Sequence, residues 1–110
     1  MKQVQQQLNS NRLMVIDDSK SLVSEAFRLL RTNLQFMGVD KPLKRIVVTS
    51  SNPGEGKSYI IANLAMSIAA TGSRVLLIDA DLRKPKIHNI FLLENYKGLS
   101  SILAGDISAD

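Results

Sequence analysis

The spacing of apolar and polar residues predicts an amphipathic helix over residues 22–37. Apolar side chains recur there at the three- and four-residue intervals of one helix face, at Leu22, Ala26, Leu29, Leu30 and Leu34. Ser21 precedes the first of them and is suited to be the N-cap, and the helix dipole favours Glu25 in the first turn. Gly38 predicts the end of the helix.

A second helix is predicted over residues 57–71, between two short apolar runs. It is apolar on almost every face, with a continuous row at Ile61, Leu64, Ala65 and Ile68. This predicts a well-buried helix, closed by Gly72. The flanking runs, 45–49 and 74–79, are bounded by polar residues and predict buried strands. Strand, helix and strand in succession form a βαβ unit, with parallel strands and a right-handed crossover.

These elements predict an α/β fold with a parallel sheet flanked by helices. Residues 1–19, which begin with a Gln-rich stretch, are assigned to an N-terminal tail. The sequence leaves open whether residues 1–16 are a mobile tail or form a short early strand near 13–16. Residues 20–110 form the predicted domain, with its first helix within 20–38 and the βαβ core at 45–83. A helical turn through Ile90 and a small helix after Gly98 complete it. Because a parallel sheet must be covered on both faces, two strands make a poor one, and we expect the sheet to be incomplete.

Composition limits the classes of protein to which the chain can belong. Its 110 residues suffice for one domain, and 45% of them are apolar, enough for a core. Cysteine is absent, which excludes disulfides and thiolate metal sites. No apolar run approaches the roughly 20 residues of a membrane helix, and the first residues lack the apolar core of a signal peptide. We therefore expect a cytoplasmic protein that only a partner would hold at the inner face of the membrane.

The net charge of +4 comes from scattered basic residues, with one local group at Arg83, Lys84 and Lys86. This group could bind phosphates or an acidic partner, or it could be a solvated loop without a ligand, and the sequence favours none of these interpretations. The aromatic residues form no series on which bases could stack, so nucleic-acid binding is not expected.

The most specific chemical signal is the stretch from Ser51 to Ser58, SNPGEGKS, between the first predicted strand and the following helix. Glycines at 54 and 56 let the backbone curl so that successive N–H groups point at a phosphate, and the helix N-terminus adds partial positive charge. Lys57 is suited to reach the β- and γ-phosphates, and Ser58 to place its hydroxyl on Mg²⁺. The sequence therefore predicts a P-loop NTPase-like fold that binds Mg·ATP.

This motif departs from the usual pattern in one place. Ser51 stands where G-x-x-x-x-G-K-[ST] begins with glycine, and serine can serve there if the backbone does not need a positive φ angle. The alternative interpretation is a tight turn in which Lys57 and Ser58 are present incidentally. The strand predicted before the motif and the helix predicted after it favour the P-loop.

Two carboxylates, Asp79 and Asp81, end the second predicted strand. Because the carboxyl ends of parallel strands face the ligand crevice, both are expected near the nucleotide phosphates. One could hold Mg²⁺ or its water while the other accepts a proton from an attacking hydroxyl. Alternatively, Asp79 ends the strand and Asp81 caps a turn. Arg83 could balance Asp81 or contact a phosphate or an acidic substrate, whereas His88 is left outside the site.

Three stretches together resemble the bacterial tyrosine autokinases of capsule and exopolysaccharide synthesis. Residues 49–58, with their Pro-Gly-Glu-Gly core and initial serine, look like the Walker A motif of that family. Residues 76–83, followed by Lys-Pro and a histidine, look like its Walker A′ motif, and residues 25–33 look like its E-x-x-R-x-x-R motif. The resemblance spans residues 20–103 and would make the chain the N-terminal portion of such a kinase.

The resemblance implies transfer of the γ-phosphoryl group of ATP to tyrosine hydroxyls, by an enzyme that autophosphorylates and regulates polysaccharide synthesis. It places Lys57, Asp79 and Asp81 in catalysis, and Ser58 joins the two aspartates at Mg²⁺. The residues that would contact the nucleotide are Pro53, Gly54, Glu55, Gly56, Lys57, Ser58 and Tyr59.

The resemblance also implies partners. Glu25, Arg28 and Arg31 would form the subunit contact of a homo-oligomeric ring, and their i, i+3, i+6 spacing places them on one broad helix face. A solvated charged face is the alternative. Family members without a membrane segment work with a separate membrane activator, whose cytoplasmic tail completes the site.

Several departures from the family pattern qualify the predicted activity. The sequence has no downstream Walker B motif and no tyrosine cluster, since Tyr59 and Tyr96 are its only tyrosines. Tyr59 stands where the family usually has a small hydroxyl residue. We therefore expect little or no kinase activity from these 110 residues alone.

Two other functions fit parts of the sequence. A partition-type ATPase would work as a nucleotide-dependent switch, but its signature lysine would stand at the place of Asn52. A non-catalytic oligomerisation module would keep the helix of Glu25–Arg31 without binding nucleotide. The asparagine and the charged helix motif together favour the kinase.

Overall fold

The computed structural model describes residue 13 and residues 18–110, and its regular elements in that part of the chain are helices. They are α1 (Leu22–Met37), α2 (Lys57–Ala69), α3 (Ile87–Ile90) and α4 (Leu99–Leu103). Both α1 and α3 pack on α2, which lies between them. Most of the predicted N-terminal tail, with its early strand, lies outside the described residues. Among the helices of the described part, each is too short or too polar to cross a membrane.

The bounds of α1 confirm the prediction made from apolar spacing. Its N-cap is Ser21, whose Oγ accepts a hydrogen bond from the backbone N–H of Ser24 at 3.1 Å. Gly38 follows the helix, but with a φ of −98° rather than a positive value. A Cβ at Gly38 would lie 3.0 Å from the backbone nitrogen of Leu43. The close approach of the following loop is therefore what requires glycine there.

Helix α2 ends at Ala69, two residues earlier than predicted. The N–H of Thr71 bonds to the carbonyl of Ile68 at 3.1 Å, and the N–H of Gly72 bonds to the carbonyl of Ala69 at 2.9 Å. These i→i+3 bonds tighten the chain into a turn, and Gly72 follows with a φ of +86°. Such a tightened last turn is a common way for a helix to end.

The buried face of α2 is more polar than the sequence suggested. Leu64 and Ala65 are buried as expected, whereas the two isoleucines of the predicted row remain partly exposed. Asn63 and Ser67 are fully buried instead. Asn63 donates through Nδ2 to the backbone carbonyl of Tyr59 at 3.0 Å, and a hydrogen-bonded polar group can be buried at little cost.

The two predicted strands are not formed within residues 18–110. Segments 45–49 and 74–79, here called the first and second apolar segments, have no regular secondary structure, and no backbone hydrogen bond joins them. A strand requires a neighbouring chain about 4.8 Å away, and consecutive strands of a sheet are neighbours only about two-thirds of the time. The two strands predicted for the βαβ unit are therefore not observed in the described part of the chain. Neither segment has a strand neighbour among residues 18–110, and both are open to solvent, with Val47 89% and Leu76 84% exposed.

Side-chain contacts from Phe27 and Arg31 join α1 to α2. Phe27, which is 7% exposed, meets the ring of Tyr59 edge to face, with 6.0 Å between ring centroids. Arg31 donates through Nη1 to the backbone carbonyl of Ser67 at 2.7 Å. The N–H of Thr71, which would bond to that carbonyl in a longer helix, bonds one residue further on. Arg31 therefore caps the C-terminal end of α2, where a positive charge also suits the helix dipole.

This capping contact predicts that Arg31→Ala lowers the free energy of unfolding by about 1–2 kcal/mol, because it leaves the Ser67 carbonyl without its charged donor. Arg28→Ala is the matched control. Its side chain is 31% exposed, and its bonds to Glu25 and to the backbone carbonyl of Ser19 both lie at the surface, where ion pairs contribute about 0.2–1 kcal/mol. Urea unfolding followed by circular dichroism measures both. An Arg28→Ala loss as large as that of Arg31→Ala would contradict the capping role.

Candidate nucleotide-binding site

The loop before α2 has the backbone of an anion cradle. Gly54 and Gly56 both lie in the left-handed region, with φ values of +81° and +85°, which glycine adopts without strain. Gly56 is the N-cap of α2 and provides no side-chain cap. The first bond back to it comes from the N–H of Ile60, to the Gly56 carbonyl at 3.0 Å. The N–H groups that precede Ile60 in the first turn of α2 are therefore left for a ligand, as phosphate binding at a helix N-terminus requires.

The tip of this loop is exposed and closed on itself. Ser50 donates through Oγ to the carbonyl of Asn52 at 2.9 Å, and the Asn52 amide lies 3.4 Å from the carboxylate of Glu55. Pro53 and Gly54 between them are open to solvent. Glu55, predicted to contact the nucleotide, has its carboxylate turned towards Asn52, which favours a role in shaping the loop.

The first turn of α2 carries the predicted phosphate and metal residues. Lys57, Ser58 and Tyr59 are all half-buried. The ring of Tyr59 packs on Phe27 of α1, and burial raises the pKa of its phenol above the ordinary value. Its position ties the phosphate loop to α1.

Asp79 holds the loop that follows the second apolar segment. Its Oδ1 accepts the N–H of Asp81 at 3.1 Å, and its Oδ2 accepts the N–H groups of Lys86 and Ile87 at 2.9 and 3.0 Å. Both carboxylate oxygens thus already have backbone donors. This arrangement suits a residue that fixes the loop more than one that binds metal directly.

Asp81 uses only one oxygen in the same way. Its Oδ1 accepts the N–H groups of Lys84 and Arg83, at 3.0 and 3.2 Å. The Lys84 N–H is the largest cause of a lowered pKa of this carboxyl, and the Arg83 N–H and the positive charges of Lys57 and Arg83 act in the same direction.

The lowered pKa predicts a pH dependence of stability. A carboxyl whose folded pKa lies below its ordinary value of 3.8 stabilises the fold above that pH, and the stabilisation is lost as pH falls through the folded pKa. Between pH 5 and pH 2 the free energy of unfolding should therefore fall less steeply in Asp81→Asn than in the wild type. A carboxyl-carbon NMR titration of Asp81 with a midpoint at or above 3.8 would contradict this assignment.

The described residues contain no group of three acidic or histidine side chains that could hold a metal ion alone. A hydroxyl, one carboxylate oxygen, phosphates and water are nevertheless the oxygen ligands that Mg²⁺ takes in nucleotide sites. Ser58 and the second oxygen of Asp81 can supply the protein part of that set. The donor set therefore fits Mg²⁺ bound together with a nucleotide.

The charged motif of α1 is engaged within the chain. Arg28 bonds to the carboxylate of Glu25 and to the backbone carbonyl of Ser19, while Arg31 reaches Ser67. The Nε of Arg31 is buried and has no partner among the described residues. The subunit contact assigned to these residues stays a prediction, and Glu25, which is exposed, is the member most accessible to another chain.

Sequence reasoning did not separate the roles of the two aspartates. A signal was present, because an aspartate that accepts N–H groups two and three residues later is a common turn device. Asp81 with Arg83 and Lys84 has that spacing. The bonds from Lys86 and Ile87 to Asp79 span seven and eight residues, and no local pattern predicts them.

Comparison with protein families identifies the class. The family model for ParA, described as NUBPL iron-transfer P-loop NTPase, matches residues 42–104, more than half of the chain. The chain therefore belongs to the ParA family of P-loop NTPases. This agrees with the glycine-rich loop and helix N-terminus described above and supports a P-loop NTPase fold, although the sheet of such a fold is not formed within the described residues.

More specific relatives are bacterial tyrosine-protein kinases. Tyrosine-protein kinase YwqD of Bacillus subtilis (strain 168) is 52% identical over 91 residues, which are 83% of this chain and 38% of the relative. Putative tyrosine-protein kinase CapB of Staphylococcus aureus is 42% identical over 91 residues, 83% of this chain and 40% of the relative. The crystal structure of the chimerical protein CapA2B2 matches with a TM-score of 0.83 and 45% identity, over 88% of this chain and 42% of that one. The resemblance to these kinases is confirmed, and the chain spans about two fifths of their length.

Proposed function

We propose that the chain is the ATP-binding part of a protein-tyrosine kinase that autophosphorylates and regulates capsular or exopolysaccharide synthesis. One observation carries the proposal: Lys57 begins α2 directly after a loop whose two glycines, Gly54 and Gly56, have the left-handed backbone of a phosphate cradle. Phosphoryl transfer to a hydroxyl needs a cation at the phosphates, which Lys57 can supply, and a carboxylate at the acceptor hydroxyl. Asp81, with one oxygen not engaged by the backbone, can supply that carboxylate. The relatives that share this region are named as tyrosine kinases.

Each of the four site residues has a separate role in the proposed reaction. Mg·ATP, when bound, supplies the γ-phosphoryl group. Lys57 and the N–H groups of the first turn of α2 bind its phosphates, and Ser58 offers its hydroxyl to Mg²⁺. Asp81 uses its second oxygen to orient the tyrosine hydroxyl and to accept its proton, or to hold a water of the metal. Asp79 keeps the loop in place through its backbone hydrogen bonds.

A partition-type ATPase switch has less support. Membership of the ParA family is compatible with it, but Asn52 stands at the place of the signature lysine, and the 52% identity is to a tyrosine kinase. Assembly into a ring through Glu25, Arg28 and Arg31 belongs to the proposal. So does recruitment from the cytoplasm to the membrane by an activator whose cytoplasmic tail completes the site.

A chimeric kinase tests the proposed activity. Residues 20–110 replace the matching region of the Bacillus subtilis relative, so that the other parts of a kinase are present. The chimera should form phosphotyrosine with Mg·ATP, and Asp81→Asn should reduce the rate at least 100-fold while ADP still binds. A chimera that binds and hydrolyses ATP without forming any phosphotyrosine would instead support the ATPase switch. The unmodified relative, assayed in parallel, sets the reference rate.

A further inference from the structure

We propose that Lys84 and Lys86 form a docking site for an acidic polypeptide, so that tyrosines flanked by Asp or Glu are the preferred acceptors. This inference rests on the proposed kinase function and adds its substrate class. The sequence left three interpretations of the basic group open: phosphate binding, an acidic partner, or a solvated loop. The structure distinguishes among them through the anchoring of the loop, the direction of its charges and its position.

The loop of residues 81–87 is anchored through its backbone. Five backbone N–H groups, those of residues 81, 83, 84, 86 and 87, donate to the carboxylates of Asp79 and Asp81 at 2.9–3.2 Å. Pro85 fixes one further φ angle. An anchored loop presents its side chains at fixed points, and binding then costs less conformational entropy than it would on a mobile loop.

The positive charges of this loop are not neutralised by its own carboxylates. Asp79 and Asp81 face the backbone, while Lys84 and Lys86 are exposed and have no ion pair within residues 18–110. No acidic residue occurs between Asp81 and Glu94. Both lysines are therefore available to an outside ligand.

Position favours a polypeptide over the nucleotide. The phosphate loop has its own lysine and its own backbone donors, so the nucleotide does not need Lys84 or Lys86. The loop that carries both lysines begins at Asp81, the carboxylate proposed to orient the tyrosine hydroxyl, so residues next to an acceptor tyrosine would lie along this loop. Acidic side chains at those places would find exposed, unpaired ammonium groups, and charge complementarity of this kind sets specificity.

Peptide binding to the 110-residue chain, saturated with Mg·ADP, tests the inference. Fluorescence anisotropy compares a labelled peptide in which four Glu residues flank one Tyr with the same peptide carrying Gln. We expect the acidic peptide to bind more tightly, and Lys84→Gln/Lys86→Gln to reduce its affinity roughly two- to twentyfold, since each exposed ion pair changes an equilibrium constant about 1.5- to 5-fold. The backbone N–H of each lysine is retained, so the loop and the ADP affinity should not change.

Lys41→Gln/Lys44→Gln is the matched control. It removes the same charge from exposed residues before the first apolar segment, at the end away from the phosphate loop, and should leave the peptide affinity nearly unchanged. Equal losses in the two double variants, or equal affinity for the Glu and Gln peptides, would overturn the inference.

Other results would assign the loop to a different ligand. A loss of ADP affinity in Lys84→Gln/Lys86→Gln would assign it to the nucleotide. If the chain bound vesicles of anionic lipid but not the peptide, and Lys84→Gln/Lys86→Gln abolished the vesicle binding, the loop would be assigned to a membrane surface. Failure of the kinase proposal is seen separately, as phosphotyrosine absent from the chimera.

Discussion

Replacing Lys57 with Met should weaken the binding of Mg·ADP about 100-fold. The lysine stands at the first position of α2, beside a loop whose glycines have φ values of +81° and +85°, and its ammonium group is the only side-chain cation within that loop. A charge-assisted hydrogen bond to a phosphate contributes roughly 1.5–3 kcal/mol, which corresponds to about a tenfold to 150-fold change in affinity. Isothermal titration calorimetry on the wild type and the variant measures the difference.

Lys97→Met is the control for this experiment, because Lys97 is exposed in the loop before α4 and the variant carries the same change of charge and shape. Its affinity for Mg·ADP should equal that of the wild type. Equal binding by the wild type and Lys57→Met would refute the P-loop assignment. Far-UV circular dichroism of both variants confirms that the helices remain, so that a loss of binding is not a loss of folding.

Replacing Phe27 with Ala should lower the free energy of unfolding by about 3 kcal/mol. Phe27 is one of few large side chains in the core, at 7% exposure, and its ring holds Tyr59 and thereby the first turn of α2. Truncation of a buried Phe removes its burial and leaves a cavity, which costs roughly 3–5 kcal/mol. Since small domains are stable by only about 5–15 kcal/mol, this is a large fraction of the total.

Two further substitutions make the Phe27 experiment specific. Phe36 lies on the same helix but is 71% exposed, so Phe36→Ala should change stability by less than about 0.5 kcal/mol. Phe27→Leu keeps most of the apolar volume and should lie between the two alanine variants. If Phe36→Ala proved as destabilising as Phe27→Ala, the packing of α1 on α2 would be wrong.

The local features of this fold could be predicted from the sequence. The bounds of α1 followed from apolar spacing and from Ser21, because a helix and its N-cap are fixed by residues within one or two turns. The phosphate loop followed from its glycines for the same reason, and both have the left-handed backbone that the motif needs. The relation to tyrosine kinases also followed from short motifs in the chain.

The non-local features could not be predicted. A strand depends on a neighbouring chain that the spacing of one segment does not specify, so the two apolar segments were predicted as strands although neither is a strand among the described residues. The contact of Arg31 with Ser67 joins residues 36 positions apart, and the motif alone suggested only a contact with another subunit. The unequal use of Asp79 and Asp81 likewise depends on where the chain turns after the loop.

The unpaired apolar segments have a consequence for handling the protein. Exposed runs of β-branched residues with free backbone donors and acceptors are templates for edge-to-edge association and for amyloid-like stacking. The first apolar segment, with Val47 89% exposed, meets that description, and only Arg45 among its five residues carries a charge. The chain should therefore aggregate as its concentration rises, and a charged residue in place of Val47 should raise its solubility without touching the phosphate loop.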